Sequence, residues 1–193
     1  VRWTLRTGLA LALFLWTFAG FTHGYAEPCS GNGLFTATFC RGDETSDAER
    51  QLLKIVNDHR IANGRTALSV SNALNKLANR RLIDLTHNLT TLTHSWSNCE
   101  YSLTDPSTWH CVADAPRRLN VGYTGKGLEV LFRSARGSVN PSDAIEAWKR
   151  SRLHNSIILN LEDFSSTQYD AVGMAIEGAS AALWFGSPNA NLK

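Results

Sequence analysis

The sequence predicts an α+β fold, an α-β-α sandwich in which helices cover both faces of an antiparallel sheet. Helical apolar periodicity occupies residues 46–89 and 140–160, whereas two short apolar runs follow at 171–176 and 180–185. The connection between these runs contains a glycine, which favours a hairpin turn. Because both runs are almost continuously apolar, we expect their sheet to be buried on both faces.

The N-terminal residues have the pattern of a secretory signal peptide. Arg2 and Arg6 precede an uncharged apolar run of 14 residues, Gly8 to Phe21, and a small-residue pattern ends at Ala26. This run is shorter than the roughly 20 residues that a membrane-spanning helix needs. We therefore expect residues 1–26 to be removed, which leaves no stable membrane span. The product would be secreted or extracytoplasmic, and periplasmic in a Gram-negative source.

The remaining chain is electrically balanced. Residues 1–26 contain two of the 19 Lys and Arg and none of the 17 Asp and Glu, so 17 charges of each sign remain. Nucleic-acid binding normally requires concentrated positive charge, and we exclude nucleic acid as a primary partner. The 167 residues are enough for one domain with a core. We divide them into an N-terminal extension, 27–45, and one domain, 46–193.

The exported part of the chain contains four cysteines: Cys29, Cys40, Cys99 and Cys111. An even number of cysteines in an exported chain predicts two disulfides, for which three pairings are possible. Pairing Cys29 with Cys40 and Cys99 with Cys111 closes short loops at low entropic cost, and we favour it. The sequence contains no Cys-x-x-Cys spacing that would support a thiolate metal cluster instead.

Two helices are predicted before residue 90. Ser46 and Glu49 form a capping box for the first, and Asn63-Gly64 ends it. Ser71 or Asn72 caps the second, in which leucines at helical spacing form one buried stripe. The charged residues beside that stripe are expected to face solvent: Arg80, Arg81 and Asp84.

A long loop and a third helix follow. Pro106 and Pro116 argue against regular structure within residues 91–127, and a Cys99–Cys111 bridge would order this loop. Asn140 suits the N-cap of the third helix, on which Trp148 faces the core. A short helical turn after it presents His154.

Three side chains are candidates for chemistry: His94 in the cysteine-flanked loop, Glu129 after a glycine turn, and His154. Two imidazoles and a carboxylate can bind a divalent ion such as zinc and leave positions open for water. The same groups can form a histidine–carboxylate acid–base pair. Because 35 and 25 positions separate them, spacing alone does not predict that they converge.

The order of short motifs along the chain adds information that spacing does not. These motifs are Asn57-Asp58-His59-Arg60, His94-Ser95-Trp96, Gly127-Leu128-Glu129-Val130, the segment from Trp148 to Asn155, and Leu183-Trp184-Phe185-Gly186. Together they resemble the CAP superfamily (cysteine-rich secretory proteins, antigen 5, pathogenesis-related 1), also called SCP domains, in a short secreted form. The resemblance covers residues 47–187. It implies an α-β-α sandwich and a cleft with two histidines and acidic partners.

The resemblance also assigns roles to individual residues. His94 and His154 match the two cleft histidines, and Glu129 matches the glutamate of the family's Gly-Glu-Asn motif. A second match to that motif, Arg118-Leu119-Asn120-Val121, has leucine where the glutamate belongs. The second acidic position of many members falls near Ser151, where this chain has no acid. The cleft of this chain therefore contains at most three of the four residues that the family usually places there.

Three functions are compatible with these residues. We favour a secreted, non-catalytic module that binds a lipid, a glycan or a protein through the cleft. The alternative is a zinc-binding protein or a metal-dependent hydrolase, with His94 and His154 as zinc ligands and Glu129 beside them. A third function would use Ser95 as a nucleophile, but the sequence contains no Gly-x-Ser-x-Gly motif.

Overall fold

The computed structural model describes Cys29, Gly31 and residues 33–188; the predicted signal peptide, 1–26, lies outside this part of the chain. The described helices pack on both faces of one four-stranded sheet, which confirms the predicted α+β class and α-β-α sandwich. The strands are β1 (Ser69–Val70), β2 (Lys126–Arg133), β3 (Ala171–Glu177) and β4 (Ser180–Ser187), in the spatial order β1-β3-β4-β2.

The described α-helices are α1 (Gly33–Thr36), α2 (Asp47–Ala62), α3 (Asn72–Asp84), α4 (His110–Ala113), α5 (Ala115–Arg118), α6 (Pro141–Arg150) and α7 (Arg152–Leu159). A π-helical turn, Leu85–Leu89, continues α3, and 3₁₀ turns occur at Pro106–Thr108 and Glu162–Phe164. Among the described residues, no helix is long and apolar enough to cross a membrane.

The sheet is antiparallel except at one edge. Strand β4 pairs antiparallel with both β2 and β3, and every residue of β4 is buried. Gly178 has a positive φ in the turn that joins β3 to β4, as the hairpin prediction requires. The two-residue β1 pairs parallel with β3, in a segment that the sequence pattern indicated only as a connection.

Each face of the sheet has its own hydrophobic cluster. Helices α2, α6 and α7 cover one face, where Trp148 is 1% exposed and donates its Nε1–H to the Leu131 carbonyl at 2.8 Å. Helices α3, α4 and α5 and the loop residue Trp96 cover the other face, against Leu131 and Trp184. Because side chains alternate along a strand, β2 sends Val130 to the first cluster and Leu131 to the second.

Side chains cover the backbone of β3 beyond the short strand β1. The amide of Met174 donates to Asn75 Oδ1 at 2.9 Å, and the amide of Ile176 donates to Glu49 Oε1 at 2.8 Å. The other oxygen of Glu49 accepts from the Ser46 amide at 2.7 Å, which completes the predicted capping box of α2. These contacts protect the sheet edge from pairing with another strand.

Helix α3 corrects the prediction that its charged residues face solvent. Arg80, Arg81 and Asp84 are 2%, 0% and 0% exposed, because the N-terminal segment and the loop after α3 cover the side away from the sheet. Arg80 pairs with the buried Asp43 at 2.9 Å. The segment before α2 therefore packs against α3 through a buried ion pair.

The loop over residues 91–127 is more regular than predicted. Pro106 begins a 3₁₀ turn and Pro116 lies in the first turn of α5. Proline is tolerated at such positions because a backbone amide there would have no acceptor within the helix. Both disulfides have the favoured pairing, Cys29–Cys40 and Cys99–Cys111. The second bridge lies within this loop and α4.

Candidate functional site

Glu129 lies on β2 and its carboxylate is buried against α3. Strand alternation places it on the same face as Leu131, towards Arg81. Arg81 Nε donates to Glu129 Oε1 at 2.8 Å, and both side chains are 0% exposed. Burial of a carboxylate in a hydrophobic layer is costly unless such a partner accompanies it.

His94 is hydrogen-bonded to the second oxygen of the same carboxylate. Its Nδ1 is 2.6 Å from Glu129 Oε2, and its side chain is 33% exposed. Because a carboxylate accepts, the Nδ1 nitrogen carries the hydrogen and donates it. The remaining nitrogen, Nε2, is the one with which His94 can bind a ligand.

Arg81 also fixes the backbone on either side of His94. Its Nη1 donates to the Ser95 carbonyl at 2.8 Å, and its Nη2 donates to the Thr93 carbonyl. The guanidinium carbon lies 5.0 Å from the centre of the Trp96 ring, in a cation–π contact. One buried arginine therefore positions both the loop of His94 and the carboxylate that orients its ring.

Tyr101 stands edge-on to His94, with ring centres 5.7 Å apart. Burial raises the pKa of its phenol, and the negative charge of Glu129 raises it further. Tyr101 therefore stays protonated, and its neutral ring packs against the imidazole.

His154, the second candidate histidine, lies in the first turn of α7. The hydroxyl of Ser151 caps this helix by accepting from the His154 amide at 3.4 Å. Burial lowers the pKa of His154, the nearby His94 charge lowers it further, and Glu129 opposes the shift. Burial, the largest of these effects, therefore favours the neutral imidazole of His154.

The three predicted side chains do not form a compact three-ligand set. Within the described chain, the potential ligand atoms of His94, Glu129 and His154 do not all lie within 4.8 Å of one another. Both carboxylate oxygens of Glu129 are already hydrogen-bonded, to Arg81 and His94. Glu129 therefore acts as the hydrogen-bond partner that orients the His94 ring.

Two other polar side chains, Ser95 and Glu146, have structural partners. Ser95 Oγ accepts from the Tyr101 amide at 2.9 Å and donates to the Tyr101 carbonyl at 3.2 Å. Glu146, one turn before the position of the missing acid, pairs with Lys149 at 2.7 Å. Neither contact aligns a nucleophile or a second carboxylate with the histidines.

Two residues of this site were not identified by sequence reasoning. Arg81 looked like a solvent-facing charge, and Tyr101 lay in a loop without periodicity. One signal pointed indirectly to Arg81: Glu129 is an acid within an apolar strand, so a buried cation had to lie nearby. The sequence gives no indication of which cation that is, because 48 positions separate Arg81 from Glu129.

Solved structures with a similar fold include bacterial surface and extracellular proteins. An outer surface protein from Borrelia burgdorferi is 18% identical with a TM-score of 0.53, and the match covers 76% of this chain and 96% of that one. An extracellular protein containing an SCP domain from Bacillus anthracis is 15% identical, with a TM-score of 0.56 and coverages of 72% and 39%. A cysteine-rich secretory protein from Staphylococcus aureus is 17% identical, with a TM-score of 0.50 and coverages of 72% and 38%. At such identities the likeness shows the fold alone.

The family assignment rests on a sequence match. No curated protein matches this sequence significantly. This chain spans well under half of the Bacillus and Staphylococcus proteins, so their full activities do not transfer to it. The family model described as "Cysteine-rich secretory protein family", or CAP, matches residues 53–183, a span that contains His94, Glu129 and His154. With two thirds of its length matched by that model, the chain belongs to the CAP family.

Proposed function

We propose that this chain is an extracytoplasmic, non-catalytic binding protein, and that the cleft at His94 and His154 holds its ligand. The observation that carries the proposal is the double engagement of Glu129, which accepts from Arg81 with one oxygen and from His94 with the other. These bonds fix the direction of the His94 ring, as a recognition site requires.

The surroundings of His94 favour binding over covalent catalysis. For covalent catalysis, a histidine that is oriented by a carboxylate must have a nucleophile within hydrogen-bond reach of its other nitrogen. The adjacent hydroxyl, Ser95 Oγ, is held by the Tyr101 backbone instead. At the position of the second acid, the Ser151 hydroxyl caps α7.

Apolar side chains flank the polar residues of this cleft along the chain. Leu92, Leu103 and Leu153 are 46%, 61% and 44% exposed. Each lies within two residues of His94, Tyr101 or His154. A ligand that combines an apolar part with a hydrogen-bonding group would use both kinds of side chain, which supports a lipid or protein ligand more than a glycan.

Co-purification tests this function. The mature protein is purified from the secreting host, and bound molecules are extracted and identified by mass spectrometry; lipid and glycan arrays are then probed with the same protein. His94→Ala/His154→Ala should lose the ligand. His87→Ala, which changes an exposed histidine on the turn after α3, should retain it. Equal binding by the double variant and the wild type, or turnover of the bound molecule, would contradict the proposal.

A zinc site is the second candidate, and the state of the two histidines favours it. Metal-binding histidines usually donate their second nitrogen to a carboxylate, as His94 does to Glu129. The lowered pKa of His154 keeps its imidazole available as a ligand. His94 Nε2 and His154 would hold the ion, which would supply a Lewis acid with positions open to water.

Calorimetric titration with zinc separates this candidate from the first. The wild type should bind one equivalent, and His94→Ala/His154→Ala none, whereas His87→Ala should behave as the wild type. Affinity should fall as the pH is lowered, because protons compete for the imidazoles. Zinc binding that is unchanged in the double variant would place the ion elsewhere.

A further inference from the structure

A separate histidine stands beside the Cys99–Cys111 disulfide. His110 Nε2 lies 3.8 Å from Cys99 Sγ and 3.7 Å from Cys111 Sγ. In the part of the chain that the structure describes, these residues form the one group of three potential metal ligands whose atoms all lie within 4.8 Å of one another. None of the three has a role in the proposed ligand cleft.

The orientation of His110 exposes its lone pair to both sulfurs. Its Nδ1 is 2.8 Å from the Ser107 carbonyl. A carbonyl only accepts, so Nδ1 carries the hydrogen of the neutral ring and Nε2 is the acceptor. A disulfide has no hydrogen to donate to Nε2. Donation of one ring nitrogen to a backbone carbonyl is also how proteins orient a metal-binding histidine.

The distances match those between the ligands of a tetrahedral zinc site. With zinc bonds of about 2.3 Å to sulfur and about 2.05 Å to nitrogen, a sulfur and a nitrogen ligand lie about 3.6 Å apart. The separations of His110 Nε2 from the two sulfurs, 3.8 and 3.7 Å, are already close to that value. The two sulfurs would need to lie about 3.8 Å apart, so their covalent bond must be broken and the sulfurs must separate before zinc can bind.

Contacts other than the disulfide hold the two cysteines in place. Arg118 donates to Asn98 Oδ1 at 2.7 Å and to the Cys111 carbonyl at 3.1 Å, so it links the segments that carry the two cysteines. Cys99 and Trp96 exchange two backbone hydrogen bonds of 2.8 and 3.0 Å. Trp96 itself is 2% exposed in the core. Breaking the sulfur–sulfur bond therefore leaves both cysteines next to His110.

We propose that reduction of the Cys99–Cys111 disulfide creates a zinc site formed by Cys99, His110 and Cys111. An external dithiol donates two electrons and two hydrogens: the protein disulfide becomes two thiols, and the dithiol becomes a disulfide. Zinc then displaces one proton from each thiol and binds two thiolates and His110 Nε2. Water fills the fourth position, because His110 is exposed and Cys99 is partly exposed.

The other disulfide lacks these features. Cys29 and Cys40 are 8% and 0% exposed, and the nitrogen near Cys29 Sγ, at 3.7 Å, belongs to Arg80. A guanidinium is always charged and cannot bind a metal ion. The Cys29–Cys40 pair therefore serves as an internal control for the proposal.

The test uses the His94→Ala/His154→Ala protein, so that the cleft cannot contribute. A phosphine reductant is added without oxygen and removed, and zinc stoichiometry is measured by equilibrium dialysis. The reduced protein should bind one equivalent that the oxidised protein does not bind. Cobalt in place of zinc should show thiolate-to-metal charge-transfer absorption, and zinc should protect Cys99 and Cys111 from alkylation.

Two further variants identify the ligands. His110→Ala should weaken zinc binding by more than about tenfold. Loss of a residue that only hydrogen-bonds to a metal ligand already lowers metal affinity by about tenfold, and loss of the ligand itself should lower it further. Cys29→Ser/Cys40→Ser should leave the reduction-dependent zinc unchanged. The proposal is overturned if the reduced protein binds no zinc, if His110→Ala binds it as tightly, or if near-ultraviolet circular dichroism shows that reduction unfolds the domain.

Discussion

The Arg81 guanidinium and the Glu129 carboxylate form an ion pair in which both side chains are 0% exposed and Nε lies 2.8 Å from Oε1. This pair joins α3 to β2 and extends to the surface through His94, whose Nδ1 donates to the same carboxylate. Since Arg81 also holds the carbonyls of Thr93 and Ser95, the position of His94 depends on one buried cation.

Truncation of Glu129 should therefore destabilise the whole domain. In Glu129→Ala, Arg81 would remain buried without its carboxylate, and removal of one member of a buried pair typically costs about 3–5 kcal/mol. Urea denaturation should show this loss in the free energy of unfolding. Glu146→Ala, which removes the exposed partner of Lys149, is the matched control and should keep the wild-type midpoint. A Glu129→Ala midpoint equal to that of the wild type would show that the pair contributes little.

Local signals predicted the elements that hold this site better than they predicted the site itself. Ser46, Ser71 and Asn140 all cap helices in the structure, because N-capping depends only on the three residues that follow. The terminal hairpin was predictable from two apolar runs and one glycine for the same reason. These features are encoded within a few positions of the chain.

The burial of α3 could not be predicted in this way. A stripe of leucines indicates one buried face, but Arg80 and Arg81 are buried by segments that come from elsewhere in the chain. Their partners, Asp43 and Glu129, lie 37 and 48 positions away. Charge burial depends on such distant pairs, so a helical pattern alone indicated a solvent-facing side. His94 and His154 were placed by family resemblance, not by spacing.

Stability should depend on pH through His154. Its pKa in the folded protein lies below the ordinary value of 6.5, chiefly because of burial. Below pH 6.5 the unfolded chain therefore binds a proton more readily than the folded one. The free energy of unfolding should be highest above that pH, fall as the pH decreases, and level off below the folded pKa.

Urea denaturation at several pH values between about 7.5 and 5 measures this dependence. His154→Gln removes the titrating group, so its midpoint should fall less steeply over the same interval than that of the wild type. The histidines shared by both proteins contribute equally and cancel in the difference. Parallel curves for the two proteins would show that His154 titrates alike in the folded and unfolded states.

Gly173 permits a close contact between β3 and α3. A Cβ added there would lie 2.1 Å from the Leu74 carbonyl carbon and 2.5 Å from the Asn75 nitrogen, both of which are backbone atoms. Because the backbone of α3 cannot move without disturbing the core, Gly173→Ala should cost about 3 kcal/mol or more. Gly33→Ala is the control, since an added Cβ there meets no atom within 4 Å. Thermal denaturation should show a lower melting temperature for Gly173→Ala only; similar values for both variants would contradict the close contact.

Ser151 allows the effect of the missing acid to be measured without loss of the helix cap. Its hydroxyl caps α7, and aspartate and asparagine are N-caps of similar strength. Ser151→Asp adds a negative charge beside His154 and should raise the pKa of that histidine, whereas Ser151→Asn adds no charge and should not.

If the cleft binds zinc, the added carboxylate should also tighten zinc binding by about tenfold or more, as outer-sphere carboxylates do. Nuclear magnetic resonance titration of the His154 ring and calorimetry with zinc measure the two effects. Equal pKa values in the two variants would show that position 151 does not face His154.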